Sequence, residues 1–369
     1  VMSLFTSLGA SKNVLKPEAE HCQKIQLTHP VLSNNDLRKL KGITEKGYKS
    51  VVIDILLPVS NEAGVLEKTL ETHCEQAIKA TKEGANIIIL SDRNVSSKQA
   101  PIPALLATGA IHHALINASL RGNTSIVVET GDARETHHIA TLIGYGAHAV
   151  NPYLAFESIV GIKRDQIVSS DLTVDEMQEN FVKGLNYGLL KIFSKMGIST
   201  IQSYHGAQIF EAMGIATSVI EKCFAGTASR IEGLNFDGIA KETLLKHAFA
   251  FPRSGDKTAE KLEVGGVYQW KRRGEKHLFN PTSIHYLQQS TKTNNYQVYQ
   301  KYAKDVNKQT ERAATLRGLL EFANPEPVSI AEVESAESIL TRFATGAMSF
   351  GSISHEAHST LAIAMNRIG

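Results

Sequence analysis

The chain has 369 residues, 42% of them hydrophobic and 21% charged, a globular composition that excludes wholesale disorder. At roughly 150 residues per domain the length implies two to three domains. Lys and Arg number 39 against 37 Asp and Glu, so a net charge of +2 gives no overall reason to bind nucleic acid or an anionic membrane.

Cys22, Cys74 and Cys223 form no CxxC pair, which excludes a zinc ribbon, a thioredoxin-type motif and a disulfide scaffold. They fit a reducing, cytoplasmic compartment. No run of about 18 apolar residues suits a membrane span, and the first residues lack the layout of a signal peptide. Both ends look cut. The chain opens on Val1, and it closes on Gly369, directly after a helix-like stretch.

From about residue 50, short apolar runs alternate with amphipathic stretches. Residues 51–57 read as a buried, β-branched strand ended by Pro58. Leu66, Leu70, Cys74, Ala77 and Ala80 recur at helical spacing, and 86–90 (NIIIL) is the next strand. Residues 102–120 are helical, 125–129 (SIVVE) a strand, 135–144 a helix and 147–151 a short strand. A long helix is expected over 175–196, then a strand at 199–203 and a helix at 207–213. Such alternation implies βαβ units and a parallel sheet, either open and doubly wound or part of a (βα) barrel. Residues 252–275 read as an exposed linker, 295–320 as polar helix and 323–329, with Pro325 and Pro327, as a loop. Residues 339–342 are helical. GAMSFG at 346–351 reads as a small-residue strand or strand end, and Ser354 caps a helix running to Ile368.

Few constellations promise chemistry. His112-His113 and His137-His138 are adjacent on expected helices, so each pair points about 100° apart and cannot easily chelate one metal. His355 and His358 lack a third ligand nearby, and packing or hydrogen bonding is the favoured role for all six. LSDR (90–93) and ETGDAR (129–134) each follow a strand, where α/β folds bind ligands. The favoured reading of the first is an Asp92–Arg93 pair that fixes its loop. The second, with one glycine and two carboxylates, reads as a loop that is not a phosphate site. Ser203, Tyr204, His205 and Gln208 cluster at another junction where Gly206 suits a tight turn, but no GxSxG elbow is present. TGAMSFGS (345–352) is the most chemical segment. Small residues at a strand end admit a flat ligand, Met348 suits a ring face, and Ser349 and Ser352 can donate hydrogen bonds. A tightly packed strand without a ligand explains it equally well.

The ordered strings VMSL (1–4), LSDR (90–93), PIPALLATGAIHHALI (101–116), VVETGDARETHHIATLIGYGAHAVNPYLAFE (127–157), SKMGISTIQSYHGAQIFEA (194–212), FAGTASRIEG (224–233), NPTSIH (280–285), TLRGLLEF (315–322) and TGAMSFGSISHEAHSTLAIAMNRIG (345–369) carry a resemblance over nearly the whole chain. The chain resembles the large chain of glutamate synthase, from its central region into the start of its flavin-binding domain. Departures at Ala114, Tyr187 and Phe193 alter packing or surface charge and leave the flavin segment intact.

The resemblance implies an α/β fold: a central domain with a parallel sheet and flanking helices, N-terminally truncated, over 1–250, and the N-terminal part of an FMN-binding (βα)8 barrel over 251–369. It implies reductive transfer of the glutamine amide nitrogen to 2-oxoglutarate, giving two glutamates. Ammonia is released by an amidotransferase domain of the same chain. FMN and a 3Fe-4S cluster serve the parent protein, with ferredoxin or an NADPH-oxidising small subunit as electron source. The cluster cysteines and most of the FMN site are expected outside this chain, so the piece by itself is expected to be inactive. Gly346, Ala347, Met348 and Ser349 resemble the family's contact with the flavin ring, and no catalytic residue or metal ligand is assigned. Two other readings stand beside it. One is a non-catalytic scaffold linking amidotransferase and synthase sites. The other is a different FMN-dependent barrel enzyme acting on a 2-oxo or 2-hydroxy acid, which lacks the long central segments.

Overall fold

A computed structural model describes residues 2–11, 13, 15–45, 47–168, 171–252, 264–308, 315, 320, 323 and 326–368. The chain divides into two compact units, Val1–Thr258 and Ala259–Gly369.

The strands of the first unit are β1 (Thr6–Leu8), β2 (Ile25–Leu27), β3 (Ser50–Asp54), β4 (Leu56–Pro58), β5 (Ile87–Ser91), β6 (Gln99–Pro101), β7 (Ser125–Glu129), β8 (Ala147–Asn151), β9 (Glu211–Ile215) and β10 (Ala228–Leu234). Its helices are α1 (Asn34–Lys41), α2 (Val65–Lys82), α3 (Ala104–Asn117), α4 (Thr136–Gly144), α5 (Tyr153–Arg164), α6 (Val174–Met196), α7 (Ile201–Tyr204), α8 (Thr217–Cys223) and α9 (Phe236–Ala250). β3, β5, β7 and β8 form a parallel sheet in that order.

Every residue of β5 and β7 is buried, which is why both read as unbroken apolar runs. Alternate side chains feed opposite faces. Ile88, Leu90, Ile126 and Val128 join the large core with residues of α2, α3, α4 and α6. Ile87, Ile89 and Val127 join Leu37 and Leu40 of α1 in a smaller one. At the carboxyl edge, β4 and β6 pair antiparallel and tie together the segments that leave β3 and β5. α6 begins with a capping box between Thr173 and Glu176 and ends at Gly197, whose φ of 69° is the left-handed cap glycine adopts at little cost.

The first expected strand is shorter and less buried than its composition implies. It breaks at Ile55 into β3 and β4, and β3 is an edge strand with Val52 43% exposed. The order expected over 199–213 is reversed. Thr200 makes only a single bridge to Ser3, and Ile201–Tyr204 turns helical and buries Ile201 and Tyr204. Glu211–Ile215 is then the strand, because it finds a parallel partner in β10. Gly206 takes φ +67°, as a tight turn requires.

The second unit contains α10 (Pro281–Thr293), α11 (Tyr296–Asn307), α12 (Ala336–Leu340) and α13 (His355–Ile368). Asn280 caps α10 by accepting from Thr282 and Ser283 amides at 3.0 and 3.1 Å, with Pro281 at the first helical position. Ser354 caps α13 by accepting from the Ala357 amide at 3.2 Å. GAMSFG is not a strand here. A strand requires a ladder partner, and among the described residues of this unit none is present. Of the expected linker at 252–275, residues 253–263 lie outside the described residues, as do most of 309–325, including Pro325.

Candidate functional site

The carboxyl edge of the parallel sheet is where ligands bind in open α/β folds. Ser91, Asp92 and Arg93 leave β5 there, and Glu129 to Arg134 leave β7. Glu129 is buried and accepts from Ser91 Oγ at 2.5 Å and Lys41 Nζ at 2.6 Å, with Arg93 4.0 Å away. Arg93 instead pairs with Glu157 at 2.7 Å and lies over the Tyr153 ring at 4.6 Å. It does not pair with Asp92, as LSDR suggested.

Asp92 reaches across to the loop after β7. It accepts from Thr130 Oγ1 at 2.5 Å and from the Gly131 amide at 3.1 Å. Two of the loop's polar hydrogens are thus taken up by a protein carboxylate. Asp132 reaches the Ala104 amide at 3.1 Å and steadies the start of α3. ETGDAR thus works as a brace between neighbouring strand ends.

Burial pushes the Asp92 carboxyl up to about 6, against hydrogen bonds from Thr130, Tyr153 and Gly131 that favour its charged form. A carboxyl raised in the fold stabilises it below about pH 4 and loses that contribution as pH rises through 6. Asp92→Asn should accordingly gain on the parent sequence by up to ~3 kcal/mol between pH 4 and pH 7. Urea unfolding of both proteins at the two pH values checks this. An offset that does not change with pH would contradict the burial of a charge at Asp92.

A second cluster sits at the amino edge. His112 of α3, His148 of β8 and His205 line one cavity of about 260 Å3 with Arg121 and Lys24. The His148 and His205 rings are 4.9 Å apart. Burial pushes His112 down to about 3 and His205 down to about 4, and holds His148 well below the ordinary range, with the Arg121 charge adding to each. Sequence reading singled out His112, paired with His113, and His205, grouped with Ser203, Tyr204 and Gln208, and it missed His148. The parallel register and the α3 packing bring them together, and no short-range spacing records that.

Ser203 and His205 do not form a nucleophile pair. Ser203 Oγ lies 3.2 Å from Thr200 Oγ1, and His205 Nε2 donates to the Ala147 carbonyl at 3.0 Å. Tyr204 is buried and stacks on Phe193 at 4.5 Å. Burial pushes the Cys74 thiol up to about 11 and the Cys223 thiol up to about 12, so neither is a thiolate at neutral pH. Among the described residues, no group of three or more His, Cys, Asp or Glu is placed to hold a metal ion. Nor is any helix among them long and apolar enough to cross a membrane.

Gly346, Ala347, Met348 and Ser349 lie in the second unit, between α12 and α13. All four are exposed, Met348 by 43%. They do not line the amino-edge cavity. By themselves they do not enclose a flavin, which needs most of its surface covered.

The first unit is an α/β domain whose parallel sheet carries a self-braced carboxyl edge. Family comparison places it more narrowly. Residues 1–216 match the family described as glutamate synthase central domain, and residues 277–369 match the conserved region in glutamate synthase. The chain belongs to the glutamate synthase family. It is 45% identical over 372 residues to the glutamate synthase [NADPH] large chain of Bacillus subtilis, covering all of this chain and 24% of that one. It is 41% identical to the glutamate synthase [NADH] of Schizosaccharomyces pombe, covering all of this chain and 18% of that one. Against the ferredoxin-dependent glutamate synthase of Pyropia yezoensis the figures are 40%, all of this chain and 24%. The chain thus spans about a quarter or less of the length of these relatives.

Proposed function

We propose that this chain is the middle portion of a glutamate synthase that transfers the glutamine amide nitrogen reductively to 2-oxoglutarate, giving two glutamates in the cytoplasm. The observation that carries the reading is sequence identity of 45% running through the whole chain, across both matched regions. In this reading residues 1–250 are the central domain and 251–369 open the FMN-binding (βα) barrel. An amidotransferase domain of the same chain supplies ammonia. FMN supplies hydride chemistry when bound, and a 3Fe-4S cluster brings electrons from ferredoxin or an NADPH-oxidising subunit. Relatives named for NADPH, NADH and ferredoxin match this chain at 45%, 41% and 40% identity, so similarity alone does not choose the donor.

Within that protein the first unit is a scaffold. At its carboxyl edge the Asp92 carboxylate takes the Thr130 hydroxyl and the Gly131 amide, which supports a bracing role there. Gly346 to Ser349 supply one edge of the flavin site, and the rest of the barrel supplies its enclosure. The test is Ser349→Trp in the full-length protein. FMN content and glutamate formation should both fall at least tenfold while glutamine hydrolysis stays measurable. Full flavin occupancy would remove Ser349 from the site.

A further inference from the structure

The amino-edge cavity is built around a guanidinium with no anionic partner among the described residues. Arg121 has five N–H donors. Nε donates to His112 Nδ1, Nη1 to the Thr124 carbonyl and Nη2 to the Gly146 carbonyl, each at 2.8 Å. All three acceptors are neutral, and one hydrogen remains on each terminal nitrogen. No carboxylate pairs with Arg121 among the described residues, and neither Asp nor Glu lines the cavity. Lys24 brings a second positive charge, and its Nζ is engaged only by Ser11 Oγ at 3.1 Å among the described residues.

The histidines are set by their neighbours. His112 Nδ1 accepts from Arg121, and His148 Nδ1 accepts from the Ile126 amide at 3.3 Å. Each neutral ring must therefore carry its proton on Nε2, and neither Nε2 has a partner among the described residues. The walls so present two fixed cations, further N–H donors and the hydroxyls of Thr6 and Ser7. A partly buried guanidinium surrounded by neutral acceptors bears a desolvation cost that a counter-ion offsets, and its planar fork matches an oxyanion. At about 260 Å3 the cavity is about nine waters in size, taking roughly 30 Å3 each.

We propose that this cavity binds one small oxyanion of the phosphate or carboxylate class, held by Arg121 and Lys24 and by the Nε2–H groups of His112 and His148. Nothing in the flavin reading is needed for it. The ion's contribution is structural or regulatory, since the cavity lies at the edge of the sheet opposite the strand ends that carry ligand sites.

The experiment is equilibrium dialysis of the 369-residue chain against radiolabelled inorganic phosphate at pH 7 and low ionic strength. Wild type should saturate at one phosphate per chain. Lys24→Ala removes a charge that holds no backbone group and should weaken binding at least fivefold. Arg121→Lys keeps the charge but loses the fork and should weaken it further. Lys68→Ala, exposed on α2, should bind as wild type does. Displacement by malonate assigns the site to both classes, and phosphate held against malonate assigns it to phosphate alone. Absence of saturable binding of either anion at tens of millimolar, or equal binding by wild type and Lys24→Ala, overturns the proposal.

Discussion

Acidification from pH 7 to pH 5 should cost the first unit several kcal/mol of stability. His112, His148 and His205 are held neutral by burial and by Arg121, with folded values well below the ordinary one. A histidine lowered in the fold contributes stability that is complete above about pH 6.5 and is lost as pH falls toward its folded value. Each can cost up to ~1.4 kcal/mol per pH unit below 6.5, and their mutual repulsion keeps them from protonating independently. Asp92 acts in the opposite sense between about pH 6 and 4 and offsets part of one histidine. Domains of this kind are stable by only about 5–15 kcal/mol, so a shift of this size is visible directly. Urea midpoints followed by circular dichroism should fall steeply from pH 7 to pH 5. His148→Asn, which keeps an acceptor for the Ile126 amide, should flatten the fall. Midpoints independent of pH over this range would contradict the neutral, buried cluster.

Gly109→Ala should destabilise the first unit by ~1–3 kcal/mol or more, although alanine is the better helix former by about 1 kcal/mol. Gly109 lies inside α3 where α8 crosses, and a Cβ there would stand 2.2 Å from the Cys223 carbonyl oxygen. That oxygen is backbone, so relief requires moving a helix end and not turning a side chain. Gly161 in α5 is the control. It is equally helical, and an added Cβ meets nothing within 4 Å. Gly161→Ala should therefore stabilise by up to ~1 kcal/mol. Thermal melts of the two variants should move in opposite directions. A stabilised Gly109→Ala would mean that α3 and α8 do not approach as described.

Much of the first unit was legible because burial on both faces leaves a plain mark. NIIIL and SIVVE read as strands and are the two central strands of the parallel sheet, and the helical spacing from Leu66 to Ala80 became α2. Legibility failed where a partner decides the structure. Residues 201–204 and 211–215 exchanged helix and strand because Glu211–Ile215 pairs with Ala228–Leu234, a run that carries no clear local pattern. GAMSFG read as a strand on composition, yet a strand without a neighbour has no ladder to join. The sites divide similarly. Asp92 and Glu129 were visible as strand-end residues, but their use as braces depends on contacts between β5 and β7. The cluster of His112, His148, His205 and Arg121 draws on four separate stretches of chain, so His112 and His205 were read apart and His148 and Arg121 were not singled out.

We propose that this chain is part of a glutamate synthase whose flavin lies against Gly346 to Ser349. The most direct measurement is the flavin content of the full-length protein, wild type beside Ser349→Trp, together with glutamate formed from glutamine and 2-oxoglutarate. The expected result is about one FMN per wild-type chain, two glutamates per turnover, and loss of both in the variant with glutaminase hydrolysis retained. Wild-type protein that makes no glutamate with NADPH, NADH or reduced ferredoxin, or a variant with its flavin and synthase activity intact, would contradict it.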